Sequence, residues 1–274
     1  MSKSIALLPL QSKLYVGFGS LAVLLNFPIV LVILLSSLRK RKEFITITGF
    51  CLVGALSGLT YASLGLYRLL VFHEGKETDL VSRRFCSLQL SQNLSIFCNR
   101  VVSAVVFLNA VDRFLAVIKP IFYFRLSTKC AVLANLLVFL HALIPNILSY
   151  ALSQDDLEEN VSIMCFSYQN VDQALGFALQ VLRIASAFIS ILLYVPVTVK
   201  LFQYTKSRNR ASFEKLTQIT ITAMITSLDA VVILIPDVIL ACAFRKSAQV
   251  AMGFYNFIIF KNSLNAVIYV FREG

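Results

Sequence analysis

Long apolar runs separated by short charged loops set the pattern of this 274-residue chain. A helix crosses a hydrocarbon core about 30 Å thick with roughly 20 apolar residues. Seven runs reach that length, over residues 15–38, 44–72, 85–118, 131–152, 174–203, 216–244 and 250–271. The third is the least apolar, because Gln89, Gln92, Asn93, Asn99 and Arg100 interrupt it. Counting it as a span keeps the basic clusters at 39–42 and 125–129 on one side of the membrane. No linker, heptad or repeat divides the chain, so residues 1–274 are expected to form one domain. The predicted fold is all-α, a seven-transmembrane helix bundle. The first run is too long for the apolar core of a signal peptide and lacks a small-residue cleavage site, so it is expected to serve as its own anchor.

Composition bears this out and gives the bundle a direction. Hydrophobic residues make up 58% and charged residues 14%, against about 45–50% and about 25% in soluble domains. Too few charges remain to coat a water-facing surface, which also excludes a disordered or nucleic-acid-binding chain despite a net charge of +11. With the N-terminus extracellular and the C-terminus cytoplasmic, the inner segments hold 14 bases and 4 acids, and the outer segments 7 bases and 8 acids. That is the distribution expected from the positive-inside rule. The loop 153–173 carries Asp155, Asp156, Glu158, Glu159 and Asp172 and no base, so it belongs outside.

Several residues in these runs carry chemistry. Asp112-Arg113-Phe114 closes the third run, where an Asp–Arg pair at a helix end can park a guanidinium until something draws it away. The same arginine also serves as a positive-inside anchor, and the dipeptide alone does not separate the two. Asn265 and Tyr269 lie four apart on one face of the seventh helix, positioned to hydrogen-bond to neighbouring helices or water. Cys86 and Cys165 both fall on the outer side, where an oxidising compartment allows a bridge. The other four cysteines read as small buried hydrophobes. Pro196 and Pro236 each remove a backbone hydrogen bond inside a helix and mark hinges. Asn26 stands alone in the apolar first run and should face the bundle.

Taken together, Asn26, Cys86, Asp112-Arg113-Phe114, Pro196, Pro236 and the run from Asn265 to Tyr269 resemble the rhodopsin-like (class A) G-protein-coupled receptors over nearly the whole chain. Gly58, Gly65, Tyr67 and Arg68 in the second run are similar to nematode serpentine chemoreceptors of the Srsx group. The resemblance implies a plasma-membrane, multi-pass chemoreceptor, in a sensory cilium. Its ligand would be a small molecule or short peptide bound in the outer half, and its partner a heterotrimeric G protein. Coupling would run through Asp112, Arg113, Asn265 and Tyr269, assisted by the basic loop 200–215. Departures are clear as well. The second run has no acid between Glu43 and Glu74, the chain has no Trp, Ala266 replaces the usual Pro, and no short amphipathic helix follows Arg272.

Away from the inner ends of the runs, six charged residues fall inside them: Arg68, Arg100, Arg183, Asp229, Asp237 and Lys261. Each costs about 2.5–3.5 kcal/mol on insertion scales, so each needs a reason. Arg68 and Arg183 lie near outer ends, where their stems can snorkel to the headgroups. Arg100, Asp237 and Arg183 are assigned to the ligand cavity; a permanent Arg100–Asp237 pair that only fixes the bundle is the competing reading. Asp229 and Lys261 match in depth and are assigned as a structural ion pair. Lys261 sits four residues before Asn265, whereas opsins place their Schiff-base lysine six before, so retinal is not expected. No cofactor and no metal are expected. Asn160-Val161-Ser162 is a glycosylation sequon in an outer loop, while Asn93-Leu94-Ser95 matches the same pattern inside a span. The rival to a receptor is a small-molecule transporter or channel using the intramembrane charges. An enzyme is not expected, because neither His73 nor His141 has a carboxylate or second His at ligand spacing.

Overall fold

In the computed structural model the chain is described over residues 8–40, 42–166 and 171–205, and at Asn256, Ile259 and Phe260. Five helices there are long and apolar enough to cross a membrane. They are α1 (Leu8–Leu35), α2 (Lys42–His73), α4 (Leu90–Ile118), α6 (Thr128–Leu152) and α7 (Gln173–Thr205). Two six-residue helices flank α4, namely α3 (Arg83–Leu88) before it and α5 (Pro120–Arg125) after it. Two short strands, β1 (Leu80–Ser82) and β2 (Glu159–Ser162), pair antiparallel outside the helices. The protein is a mainly α-helical, multi-pass membrane protein. The sixth expected span, and all but three residues of the seventh, lie outside the described residues.

Apolar side chains face outward as well as inward, which separates this fold from a soluble bundle. Leu24, Leu35, Leu133, Leu137 and Ile147 are exposed, Leu35 by 83% and Ile147 by 68%. Such broad apolar surface is tolerable only against lipid. Small residues close the helix–helix seams instead, because lipid tails already solvate leucine and close backbone approach is what remains to be gained. At the α1–α2 crossing a Cβ on Gly58 would stand 2.6 Å from the Gly19 carbonyl oxygen, and one on Gly65 would stand 2.6 Å from that of Ser12. A Cβ on Gly54 would meet the buried Asn26 amide at 2.8 Å. Asn26 therefore faces the bundle as expected, over the glycine of a helix with no acid between Phe44 and His73.

Helix α4 packs against α2, α6 and α7, which explains its weak hydropathy. Gln92, Ser95 and Cys98 are buried, and Asn99 accepts a hydrogen bond from the Tyr61 hydroxyl at 2.9 Å. Its polar side chains face other helices, and its valines 101, 102, 105 and 106 build a core with Phe50, Val53 and Ala142. An outer cluster joins Tyr15, Tyr61, Leu64 and Val71 to Met164 and Phe166 of the loop and to Ile259. Phe260 lies 5.4 Å from Phe18, ring to ring, so this part of the chain returns to α1.

Span boundaries differ from those read in the sequence. The first helix begins at Leu8 rather than at 15, because its added turns pack on the outer end of α2, with Ser12 buried. It stops at Leu35 rather than 38, where Ser36 Oγ accepts from Leu38 N–H and a 3-10 turn over Ser37–Lys40 follows. The expected third span, 85–118, is two helices. Gln89 is extended (φ −71°, ψ 121°) and separates α3, capped by the Ser82 hydroxyl, from α4. Helix α7 runs unbroken past Pro196, which faces outward, while Tyr194 and Val197 pack inward on Ala110.

Candidate functional site

At its C-terminal end, α4 brings Asp112 and Arg113 to the surface of the bundle without releasing them to water. Arg113 is 8% exposed, and its Nη2 stands 3.6 Å from Asp112 Oδ2. Pro120 opens α5 at a position where a missing N–H costs nothing. One turn later Tyr123 is buried, and its hydroxyl donates to Asp112 Oδ1 at 3.1 Å. The carboxylate is thus shared between the guanidinium and the phenol. Tyr123, eleven residues after Asp112 and three after Pro120, was missed in the sequence. Alongside, Ile118, Lys119, Pro120, Ile121, Phe122 and Arg125 line an open groove of about 390 Å³.

Toward the other end of the bundle, three arginines among the described residues are buried or part-buried. Arg100 Nη1 donates to the Leu179 carbonyl, tying α4 to α7. Arg183, one turn further along α7, is 3% exposed. Arg68 is 4% exposed; its Nε donates to the Met164 carbonyl at 3.2 Å, and its guanidinium lies 4.9 Å from the Phe166 ring and 5.7 Å from that of Tyr15. Neither Arg68 nor Arg183 snorkels. Arg68 finds carbonyl and aromatic partners inside the protein, which removes the reason to reach for headgroups. Tyr67 beside it donates to the Ile163 carbonyl at 2.8 Å, so both residues hold the outer loop.

That loop is fixed covalently. Cys86 and Cys165 form a disulfide with Cα atoms 5.4 Å apart. The β1–β2 ladder pairs Leu80 with Ser162 and Val81 with Val161, and Arg83 meets Asp156 at 3.0 Å. Asn160 is exposed on β2. Asn93 of the second sequon is inside α4 and donates to backbone carbonyls, including that of Gln89 at 3.3 Å. Missed too was Asn135 of α6, which is buried where a Cβ on Gly49 of α2 would collide with it.

Pro236, Asp229, Asp237, Lys261, Asn265 and Tyr269 lie outside the described residues. Among the described residues no cluster of His, Cys, Asp and Glu has the makings of a metal site. No protein-family model matches the chain, and no curated protein matches it significantly.

Proposed function

We propose that this chain is a rhodopsin-like G-protein-coupled receptor of chemosensory type, similar to the Srsx group. Its seven spans place the N-terminus outside and the C-terminus in the cytoplasm, at the plasma membrane and in a sensory cilium. A small ligand binds in the outer half, near Arg100 and Arg183, with Asp237 the expected partner from the sixth span. The ligand favours the state it binds more tightly, as any switch requires. In that state Arg113 leaves Asp112 and meets a heterotrimeric G protein at the inner face, with Asn265 and Tyr269 completing the switch and Pro196 and Pro236 its hinges. Asp229 and Lys261 pair within the bundle, and Asn160 carries a glycan.

The observation that carries this reading is the Asp112 carboxylate shared by Arg113 and Tyr123. A guanidinium 3.6 Å from a carboxylate that also accepts from a phenol is poised to exchange partners. A ligand screen with a calcium reporter tests it, repeated on Arg113→Ala. Responses in the wild type and none in the variant, at equal surface expression, are expected. Equal responses from both would remove Arg113 from the mechanism. Buried arginines also favour a second reading, a small-molecule transporter, which would show substrate flux in liposomes and no ligand-dependent nucleotide exchange.

A further inference from the structure

Helix α5 is held at the membrane boundary by its tethers. It follows α4 after Lys119 alone and precedes α6 by Leu126 and Ser127, links that reach no more than about 7 Å each. The 29 residues of α4 extend for about 44 Å, the thickness of a bilayer with its headgroup regions. The C-terminal end of α4 therefore lies at headgroup depth. There the Thr128 hydroxyl donates to the Lys40 carbonyl at 3.1 Å, which brings exposed Arg39 and Lys40 to the start of α6.

One face of α5 is used by the protein and the other is open. Tyr123 turns inward to Asp112, whereas Ile121 is 73% and Phe122 51% exposed. Large apolar side chains on a helix that cannot leave the interface belong among acyl chains rather than in water. Ile118, Pro120, Ile121 and Phe122 share their groove with Lys119 and Arg125, both exposed. Neither base is in an ion pair among the described residues. Asp112, the nearest acid along the chain, is held by Arg113 and Tyr123, and none follows before Asp155. The groove, of about 390 Å³, has the volume of a small-molecule site rather than that of a bare ion.

We infer that this groove binds one anionic glycerophospholipid, its phosphate between Lys119 and Arg125 and an acyl chain on Ile118, Ile121 and Phe122. The two bases supply charge-assisted hydrogen bonds to phosphate oxygens, and without a neighbouring acid they favour a headgroup of net negative charge over a zwitterionic one. The apolar lining rewards the chain that a free phosphate lacks. A protein partner would need the same face, which the short tethers already keep against lipid. The inference uses the membrane reading and is independent of the receptor one.

The test uses the purified full chain in detergent micelles, with bound lipid counted by native mass spectrometry. Dioctanoyl phosphatidylserine, dioctanoyl phosphatidylcholine and glycerophosphoserine, the headgroup without chains, are titrated separately. The wild type should bind one phosphatidylserine roughly thirtyfold more tightly than phosphatidylcholine, from two bases at about fivefold each. The double variant Lys119→Gln with Arg125→Gln should lose most of that preference. Lys13→Gln with Arg84→Gln, which removes two exposed bases toward the other end of the bundle, should keep it. Phe122→Ser should weaken phosphatidylserine roughly tenfold. The comparison of the two lipids on the wild type decides the matter should the groove variants not fold. Equal binding of the two lipids overturns the inference, as does a folded Lys119/Arg125 variant with its preference intact. Glycerophosphoserine binding as tightly as phosphatidylserine would make the groove a free-anion site and overturns it too. So does a Lys119/Arg125 variant that binds the lipid normally yet loses ligand-driven nucleotide exchange, which would give this face to a G protein.

Discussion

Gly58 and Gly65 act by what they lack. Each allows α1 and α2 to approach until backbone touches backbone, so one added methyl has nowhere to go. Gly58→Ala and Gly65→Ala should each destabilise the fold by about 1–3 kcal/mol, the range for overpacking. Gly17 of α1 is a control, with nothing within 4 Å of a Cβ built on it. Gly17→Ala should be neutral or gain about 0.5–1 kcal/mol from helix propensity. Thermal unfolding of the three variants decides it, and equal midpoints would mean that the seam does not set stability. Glu74 and Lys76 form an exposed pair at the outer end of α2, 2.9 Å apart. The hydrogen bond and charge of Lys76 lower the Glu74 carboxyl from its ordinary value, and Glu74 raises Lys76 in return. The contact is therefore complete at neutral pH. It is lost on the acid side as pH falls through the lowered Glu74 value, and on the alkaline side as pH rises through the raised Lys76 value. An NMR titration of Glu74 should move its midpoint upward in Lys76→Met; no movement would exclude the pairing in solution.

Helices were legible from hydropathy; their ends were not. The outer turns of α1 are held by packing on α2, a tertiary effect that no apolar count contains, and Gln89 breaks the third run through a backbone turn that its side chain does not announce. The polar residues of α4 were themselves informative, since several of them mark the faces it turns toward other helices. The inner site was half legible: Asp112 and Arg113 stand out as a pair, whereas Tyr123 depends on the turn geometry of α5. Tyr123→Phe keeps the ring and deletes its bond to Asp112. If that bond restrains Arg113, the variant should show higher ligand-independent nucleotide exchange. The expected rise is roughly tenfold, from about 1.5 kcal/mol, the lower end of the range for a hydrogen bond to a charged group. Basal exchange at the wild-type level would show that the phenol is only structural.

Among the described residues, a disulfide, a strand pair and an Arg83–Asp156 ion pair gather at one end of the bundle. The outward placement of the 153–173 loop predicts that Asn160 is glycosylated. An enzymatic deglycosylation shift should be present in the wild type and absent in Asn160→Gln; a wild-type chain without it would put the orientation in question. The buried arginines were legible as anomalies, yet their destinations were not: Arg68 is held by a loop nearly a hundred residues away, which local pattern does not encode. Cys86→Ser should loosen that cap. Chain entropy for its 79-residue separation sets a ceiling of about 4.5 kcal/mol, reduced because inserted helices already restrict the chain. The expected result is a lower unfolding midpoint with helix content unchanged.

The same separation is also an interval of time. Cys86 leaves the ribosome 79 residues ahead of Cys165, which at about 5–20 residues per second is roughly 4–16 s. In the proposed orientation, one thiol waits through that interval in an oxidising lumen without its mate, while α4 and α6 are still being inserted. The early chain must therefore pass through a state with Cys86 open to any competing thiol, and pulse-labelled nascent chains trapped with a maleimide should be modified there until the loop after α6 has crossed.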